Sequence, residues 1–249
     1  PLTHTKESGA RASLSGRLDI AVEAGTRVLA FSYEEEGETP VTGRADFTGA
    51  NLSRITMPIF DLGDMKNVAF GLTEIGGYRQ VSLRATKFLV NDPVAAAFGN
   101  AGSSDRLFSE SINAILGDNF SIEAQIDTLD GSHEERLDGF RLIINATDGR
   151  YERMQLQGTF ADGSELFGDL ARTSPNLRSY SLQAENGSNL IRLLGFLPDL
   201  EGGAFLLQGS FFDDGVSAGG DPQDINGWFE MQSFRAREVP VLARLLSLG

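Results

Sequence analysis

Apolar and polar residues alternate along most of this chain. Between residues 12 and 22, every even position carries an apolar residue or glycine, while most odd positions carry polar residues such as Ser13, Arg17 and Asp19. The same period of two returns at 68–72, 120–126, 140–146, 154–160, 205–211 and 225–231. A period of two is typical of β-strands that bury one face, so the chain is expected to be rich in half-buried strands.

The alternation and the turn residues between the segments predict strands at 12–23, 27–34, 40–48, 66–73, 79–90, 119–128, 138–147, 151–160, 164–170, 177–185, 203–212 and 224–234. The stretch 49–65 is less regular. Because Pro58 cannot donate a hydrogen bond to a central strand, we expect this stretch to be a crossing segment or an edge.

Helical signals are few and short. The order of residues predicts a helical insert at 91–117, which opens with Asp92 as N-cap and Pro93 in the first turn. Two more short apolar helices are predicted at 188–194 and 239–248, and their sequences resemble each other. The expected organisation is therefore a β-sheet segment at 1–90, the insert at 91–117, and a second β segment at 118–249 with two short capping helices.

The predicted helices cannot cover the apolar face of so many strands. If about forty strand residues point inward, leaving them in water would forfeit on the order of 60–120 kcal/mol. The strands must therefore close on themselves as a sandwich or barrel, or curl into a groove that another apolar substance fills. Glycines at inward positions favour the coiling of a long sheet; they are Gly16, Gly43, Gly158, Gly209 and Gly227.

The expected fold class is all-β, with a large curved antiparallel sheet that forms an elongated apolar groove and carries a few short helices. A self-closed β-sandwich remains open as the alternative.

Composition removes several classes of function. The formal net charge of −14 makes nucleic acid an unsuitable partner, because phosphate binding needs clustered Lys and Arg. The absence of cysteine excludes disulfides and thiolate chemistry. The chain contains no run of about 18 apolar residues, the length that a membrane-spanning helix needs. Since the chain opens at Pro1 and ends just after an apolar stretch, we expect it to be part of a longer protein.

Candidate catalytic groups are sparse. His4 and His133 both lie in polar stretches, and neither belongs to a nucleophile motif. One loop gathers four carboxylates that calcium would accept, but their spacing fits no EF-hand and indicates a solvated hairpin loop; they are Asp213, Asp214, Asp221 and Asp224. We therefore expect no enzyme activity, no cofactor and no metal site.

The last part of the chain resembles a known family. The sequence from Phe234 to Leu248 is similar to the closing segment of the AsmA-like C-terminal domain, in which a strand runs into a proline-opened helix. The stretch 185–195, followed by 200–209, resembles that family's unit of an acidic residue with glycine, a short apolar helix and a Gly-Gly strand. Glu185-Asn186-Gly187 stands where an Asp-Ala-Gly triplet is usual. The paired strands predicted within 120–160 also resemble the strand pattern of that family.

The resemblance covers residues 120–249 and is general over 1–118, which suits the preceding part of the long YhdP-type proteins of Gram-negative bacteria. It implies a periplasmic protein that is anchored in the inner membrane by a segment outside this chain and conducts phospholipids toward the outer membrane. The implied partners are phospholipid acyl chains and other envelope proteins, with no nucleic acid.

On this interpretation, the groove lining is expected to comprise Leu14, Leu18, Ile20, Val22, Phe70, Leu72, Val81, Leu83, Ile122, Ile126, Leu142, Ile144, Leu156, Phe160, Phe205, Leu207, Phe229 and Met231. The helices are expected to cap or plug the groove through Leu193, Leu194, Leu245 and Leu246.

Two other functions remain open. The first is a structural or assembly module for outer-membrane biogenesis with a self-closed sandwich core. The second is a carbohydrate-binding or adhesin-like β module. Such modules display exposed aromatic residues, whereas this chain has a single tryptophan, Trp228, and four scattered tyrosines.

Overall fold

The computed structural model describes residues 2–5, 11–23, 25–35, 40–62, 65–90, 116–197, 199–212 and 226–236. These residues form fourteen strands and one α-helix, with a single 3₁₀ turn at Ser132–Glu134. The strands are β1 Leu2–Thr5, β2 Arg11–Glu23, β3 Thr26–Glu35, β4 Val41–Thr48, β5 Asn51–Leu62, β6 Met65–Ile75, β7 Tyr78–Leu89, β8 Phe120–Asp130, β9 Arg136–Thr147, β10 Arg150–Phe160, β11 Glu165–Ser174, β12 Leu177–Ala184, β13 Leu200–Phe212 and β14 Asn226–Ala236; the helix is α1, Gly187–Leu193.

All the strands belong to one sheet, in which they follow one another in chain order from β1 to β14. The sheet is curved and unclosed, so the predicted all-β class with a large curved sheet is confirmed. All neighbouring strands pair antiparallel except β7 and β8, which are parallel. The predicted antiparallel pairing therefore holds at every other pair of neighbouring strands. A parallel pair needs a connection of a dozen or more residues, and the chain between Leu89 and Phe120 is long enough.

Residues 49–65 are not an edge, contrary to the prediction, because β5 lies inside the sheet between β4 and β6. The register explains how Pro58 is tolerated. Pairing with β4 ends at Arg44 and Thr56, and pairing with β6 is shifted between Met57 and Phe60. The missing N–H of Pro58 therefore falls in an irregular stretch, where no ladder hydrogen bond is lost.

The twelve predicted strands all exist, with ends that differ by a few residues. The unpredicted β1 pairs with the first residues of β2. The helix predicted at 188–194 is confirmed as α1. The helix predicted at 239–248 lies outside the described residues, as does all of the 91–117 insert except its last two positions, Leu116 and Gly117.

A single arginine shows how strongly the sheet curls. Arg192 of α1 donates from Nε to Glu135 Oε1 at 2.6 Å and from Nη1 to the Leu200 carbonyl at 2.8 Å. Glu135 immediately precedes β9, and Leu200 opens β13. In a flat sheet, strands four places apart would be separated by about 19 Å. Because one guanidinium group contacts both, the sheet from β9 to β13 curls around α1.

Register divides the sheet into two chemically different faces. The apolar face, called the inner face below, carries matched residues in successive strands, including Leu72, Val81, Ile122, Ile144 and Met154. On the opposite, outer face the residues between them are mostly polar. Since the same alternation runs through every described strand from β4 to β13, the inner face is one continuous apolar surface.

Two buried clusters lie on the inner face, at opposite ends of the strands. The larger lies at the end where α1 packs, called the α1 end, and includes Leu137, Phe160, Leu166, Leu190 and Leu193. The smaller lies at the opposite end and comprises Leu116, Phe120 and Ala146 with partly buried neighbours.

Candidate functional site: the apolar inner face

The structure brings the predicted groove lining together on the inner face. Register places Leu18, Ile20 and Val22 of β2 opposite Phe31, Leu29 and Arg27 of β3, and the apolar row continues strand by strand to Phe229 and Met231 of β14. Leu14 is placed by its backbone alone, in β2 opposite Leu2 and Glu35. The other predicted residues on this face are Phe70, Leu72, Val81, Leu83, Ile122, Ile126, Leu142, Ile144, Leu156, Phe160, Phe205 and Leu207.

Solvent exposure differs sharply along this face. Near the two lateral edges, apolar side chains are open: Ile20 is 72% exposed, Val22 70% and Phe229 73%. In the middle of the sheet, Leu72 and Ile126 are 1% and 3% exposed. The inner face therefore presents open apolar surface beside β2 and β14, with a packed stretch between them.

Several inner-face residues were not in the predicted lining. Register adds the following: Leu29, Phe31, Ala45, Ile55, Met57, Met154, Leu170, Tyr180 and Phe211. For most of them the signal was present in the sequence, because they share the period-two parity of their strand. Ile55 and Met57 were missed because Pro58 concealed β5.

The inward glycines make room for side chains from neighbouring strands. A Cβ at Gly43 would collide with the ring of Phe31, and a Cβ at Gly158 would lie 2.5 Å from Leu137 Cγ. The ring of Tyr180 lies across both Gly209 and Gly227, which face each other in β13 and β14. Because these four glycines have no side chain, a larger side chain from a neighbouring strand can lie over each of them on the inner face.

The helix α1 is fixed to the α1 end by polar contacts. Asp162, in the turn between β10 and β11, accepts hydrogen bonds from Asn186 and Asn189, both at 2.8 Å, and from Ser164. Partial burial acts to raise the pKa of Asp162, but these hydrogen bonds outweigh it, so the pKa lies well below the usual range for an aspartate. The carboxylate therefore stays ionised and keeps its acceptor role at neutral pH.

The predicted cap residues of α1 contact the inner face. Leu193 is 7% exposed within the larger cluster, and Leu194 packs against that cluster. Leu193 also lies against Gly131, where a Cβ would come within 2.5 Å of Leu193 Cδ1. The two other predicted cap residues, Leu245 and Leu246, lie outside the described residues.

At the opposite end of the strands, a buried arginine ties β12 to β10. Arg178 is fully buried and donates to the carbonyls of Tyr151, Ser174, Pro175 and Leu177. Four carbonyl acceptors supply the polar environment that a buried guanidinium requires. Sequence reasoning missed this residue, because alternation predicts that a side chain points inward and not what it binds there.

The described part of the chain shows no cluster of side chains suited to metal binding. Within it, no three His, Asp or Glu residues come together in a way that would hold a metal ion. His133 is exposed in the 3₁₀ turn, and the four carboxylates of the 213–224 loop lie outside the described residues. Among the helical residues that the structure describes, no helix has the length and apolarity to cross a bilayer.

A comparison with known proteins adds no identity: no protein-family model matches this chain, and no curated protein matches it significantly.

Proposed function

We propose that this chain is a segment of a periplasmic protein that conducts phospholipids along the inner face toward the outer membrane. The observation that supports this function is the continuous apolar inner face, which the described part of the chain leaves open beside β2 and β14. Leu18, Ile20, Val22 and Phe229 are each 60–73% exposed although they lie on the same face as the core. A surface of this kind is stabilised when apolar atoms cover it.

Acyl chains fit this surface better than a peptide does. In the interior of the sheet, the backbone N–H and C=O groups are used in pairing between strands, and the inner face offers few polar partners. A peptide lying there would bury its own backbone groups without hydrogen bonds, which costs free energy. An acyl chain has no polar groups to satisfy, and the phosphate head group can stay in water at the opening.

The dimensions of the sheet also suit a lipid. The eleven residues of β8 extend over about 36 Å. One acyl chain is about 15 Å long, half of the roughly 30 Å hydrocarbon core of a bilayer. A lipid tail can therefore lie within the width of the inner face. Passage of this kind needs no catalytic residue.

The resemblance of residues 120–249 to the AsmA-like C-terminal domain points in the same direction. It supports a location in the periplasm, with an inner-membrane anchor in a part of the protein outside this chain. In this proposal, the partners are phospholipid acyl chains and other envelope proteins.

One observation favours a second candidate, a structural module for outer-membrane biogenesis. Around α1 the inner face is filled by the protein itself, as a self-sufficient core would be. A closed core would, however, leave no reason for the exposed apolar residues of β2 and β14.

The test uses two variants on one exposed strand. In the double variant Ile20→Asp with Val22→Asp, charges stand on the inner face, and in the control Ala21→Asp one stands on the outer face of the same strand. All three positions are exposed, so stability should change little. Each protein is incubated with vesicles that contain a radiolabelled phospholipid, and lipid retained after removal of the vesicles is counted.

We expect the unmodified chain and Ala21→Asp to retain phospholipid, and the double variant to retain several-fold less. Equal retention by the double variant and the control would contradict a role for the inner face.

A further inference from the structure

Part of the inner face is covered by α1. Leu190 and Leu193 of α1 belong to one buried cluster with Leu137, Phe160 and Leu166, which are 0%, 2% and 5% exposed. These three residues come from β9, β10 and β11. The protein's own helix therefore already occupies the space that an acyl chain would need at this end of the strands.

The helix is held from three separate directions. Asp162 binds it from the turn between β10 and β11, Glu135 from the approach to β9, and the Leu200 carbonyl from β13. Ser188, which is 1% exposed, accepts a further hydrogen bond from the Gly202 N–H at 3.1 Å. A seven-residue helix is marginal alone, so these contacts and the apolar cluster keep it in place.

The opposite end of the same stretch is also covered by the chain itself. Leu116 is 8% exposed and packs with Phe120 and Ala146, against partly buried Ile122 and Tyr151. From β8 to β10, the inner face is thus covered at both ends of its strands. Among the described inner-face residues, the most exposed apolar side chains lie on either side of this stretch, on β2 and on β14.

We infer that α1 is a partition in the groove. This inference rests on the proposed function. It places bound acyl chains on β2 and β3 at one side of α1 and on β14 at the other side. Lipid reaches the inner-face residues under α1 only when the helix leaves its position. Two features keep α1 in this position. They are the hydrogen bonds of Arg192 and the close packing of Leu193 against Gly131.

Two substitutions displace α1 by unrelated means. Arg192→Ala removes the hydrogen bonds to Glu135 and Leu200. Gly131→Val removes no polar contact, but its side chain would meet Leu193, whose Cδ1 lies 2.5 Å from an ideal Cβ and whose carbonyl oxygen lies 2.9 Å from it. The backbone φ of Gly131 is −116°, a value that valine adopts readily, so the effect of this substitution is steric.

The control is Arg172→Ala. Arg172 pairs with Glu152 at 3.0 Å, near the opposite end of the strands, and makes no described contact with α1. It therefore matches Arg192→Ala in the charge that is removed but leaves the partition intact. Circular dichroism verifies that each variant retains its sheet.

The measurement uses vesicles containing a phospholipid with a photoactivatable group at the end of one acyl chain. After illumination, the labelled residues are located by peptide mass spectrometry. In the unmodified chain and in Arg172→Ala, we expect label on Leu18, Ile20, Val22 and Phe229 and at least tenfold less on Leu137 and Phe160. In Arg192→Ala and Gly131→Val, we expect label on Leu137 and Phe160 as well.

The outcomes separate this inference from the proposed function. Equal labelling of Leu137 and Ile20 in the unmodified chain overturns the partition and leaves lipid binding intact. Folded α1 variants that label no more under α1 than the control does also overturn it. A complete lack of label on the inner face of the unmodified chain overturns the proposed function itself.

Discussion

Arg178 shows what a single residue contributes to the shape of the inner face. Arginine is rarely fully buried unless it is paired. Here the side chain is 0% exposed and lies among the carbonyls of Tyr151, Ser174, Pro175 and Leu177, while Glu152 stands 3.8 Å from Nη2. The guanidinium thereby joins the β11–β12 turn to the start of β10, and it holds these strands in their curved arrangement.

Replacing this arginine should be costly. In Arg178→Met, the carbonyl groups lose their donor in a buried site, and each buried group left unsatisfied costs about 1–3 kcal/mol. We expect a clear loss in the free energy of unfolding, measured by urea denaturation. The control Arg172→Met removes an ion pair that is 44% exposed on the arginine side, and a surface pair contributes about 0–1 kcal/mol. Equal losses in the two variants would show that Arg178 is not structural.

At this scale, sequence predicts which way a side chain points but not what it meets. The parity of Phe205 and Leu207 is enough to place them on the inner face. Nothing in the sequence pairs Tyr180 with Gly209 and Gly227, because that contact depends on the register of three strands. The fit between ring and glycine follows from tertiary packing.

Among the elements, α1 depends most on interactions beyond its own sequence. Asn186, the N-cap residue before α1, and Asn189 in its first turn both donate to Asp162 in the β10–β11 turn. The folded protein lowers the pKa of Asp162, so ionised Asp162 stabilises the fold. That stabilisation is present above the unfolded pKa of about 3.9 and is lost as the pH falls through the lower folded pKa.

The variant Asp162→Asn tests this contribution. Because asparagine carries no charge to form these charge-assisted bonds, the variant should be less stable than the unmodified protein at pH 7. The difference in unfolding free energy should shrink as the pH falls below about 4. Urea unfolding of both proteins across the acid range measures it. A difference that does not change with pH would contradict the role assigned to the carboxylate.

Elements were predicted where the period of two is unbroken and missed where a local rule conflicts with the fold. The strand β5 was missed because Pro58 usually excludes an interior strand, and its position at a shift in register is visible only in the folded sheet. The parallel pairing of β7 with β8 was missed for a similar reason. Strand direction depends on where the connection leads, and alternation carries no information about direction.

At the scale of the whole molecule, the sheet does not bury its apolar face by closing on itself. The described strands do not form two packed sheets, and the free strands β1 and β14 lie at the lateral edges. Sequence predicted that short helices could not cover this face, and α1 covers only part of it. It could not predict which part stays open, because that follows from how the sheet curls around α1.

Native mass spectrometry of the chain, purified without detergent or delipidation, tests the central claim most directly. If the open inner face holds acyl chains, the spectrum should show the protein with bound phospholipid in a defined ratio, and collisional activation should release that lipid. A protein that carries no phospholipid, purified from cells whose membranes supply it, would contradict the account and indicate a self-contained core.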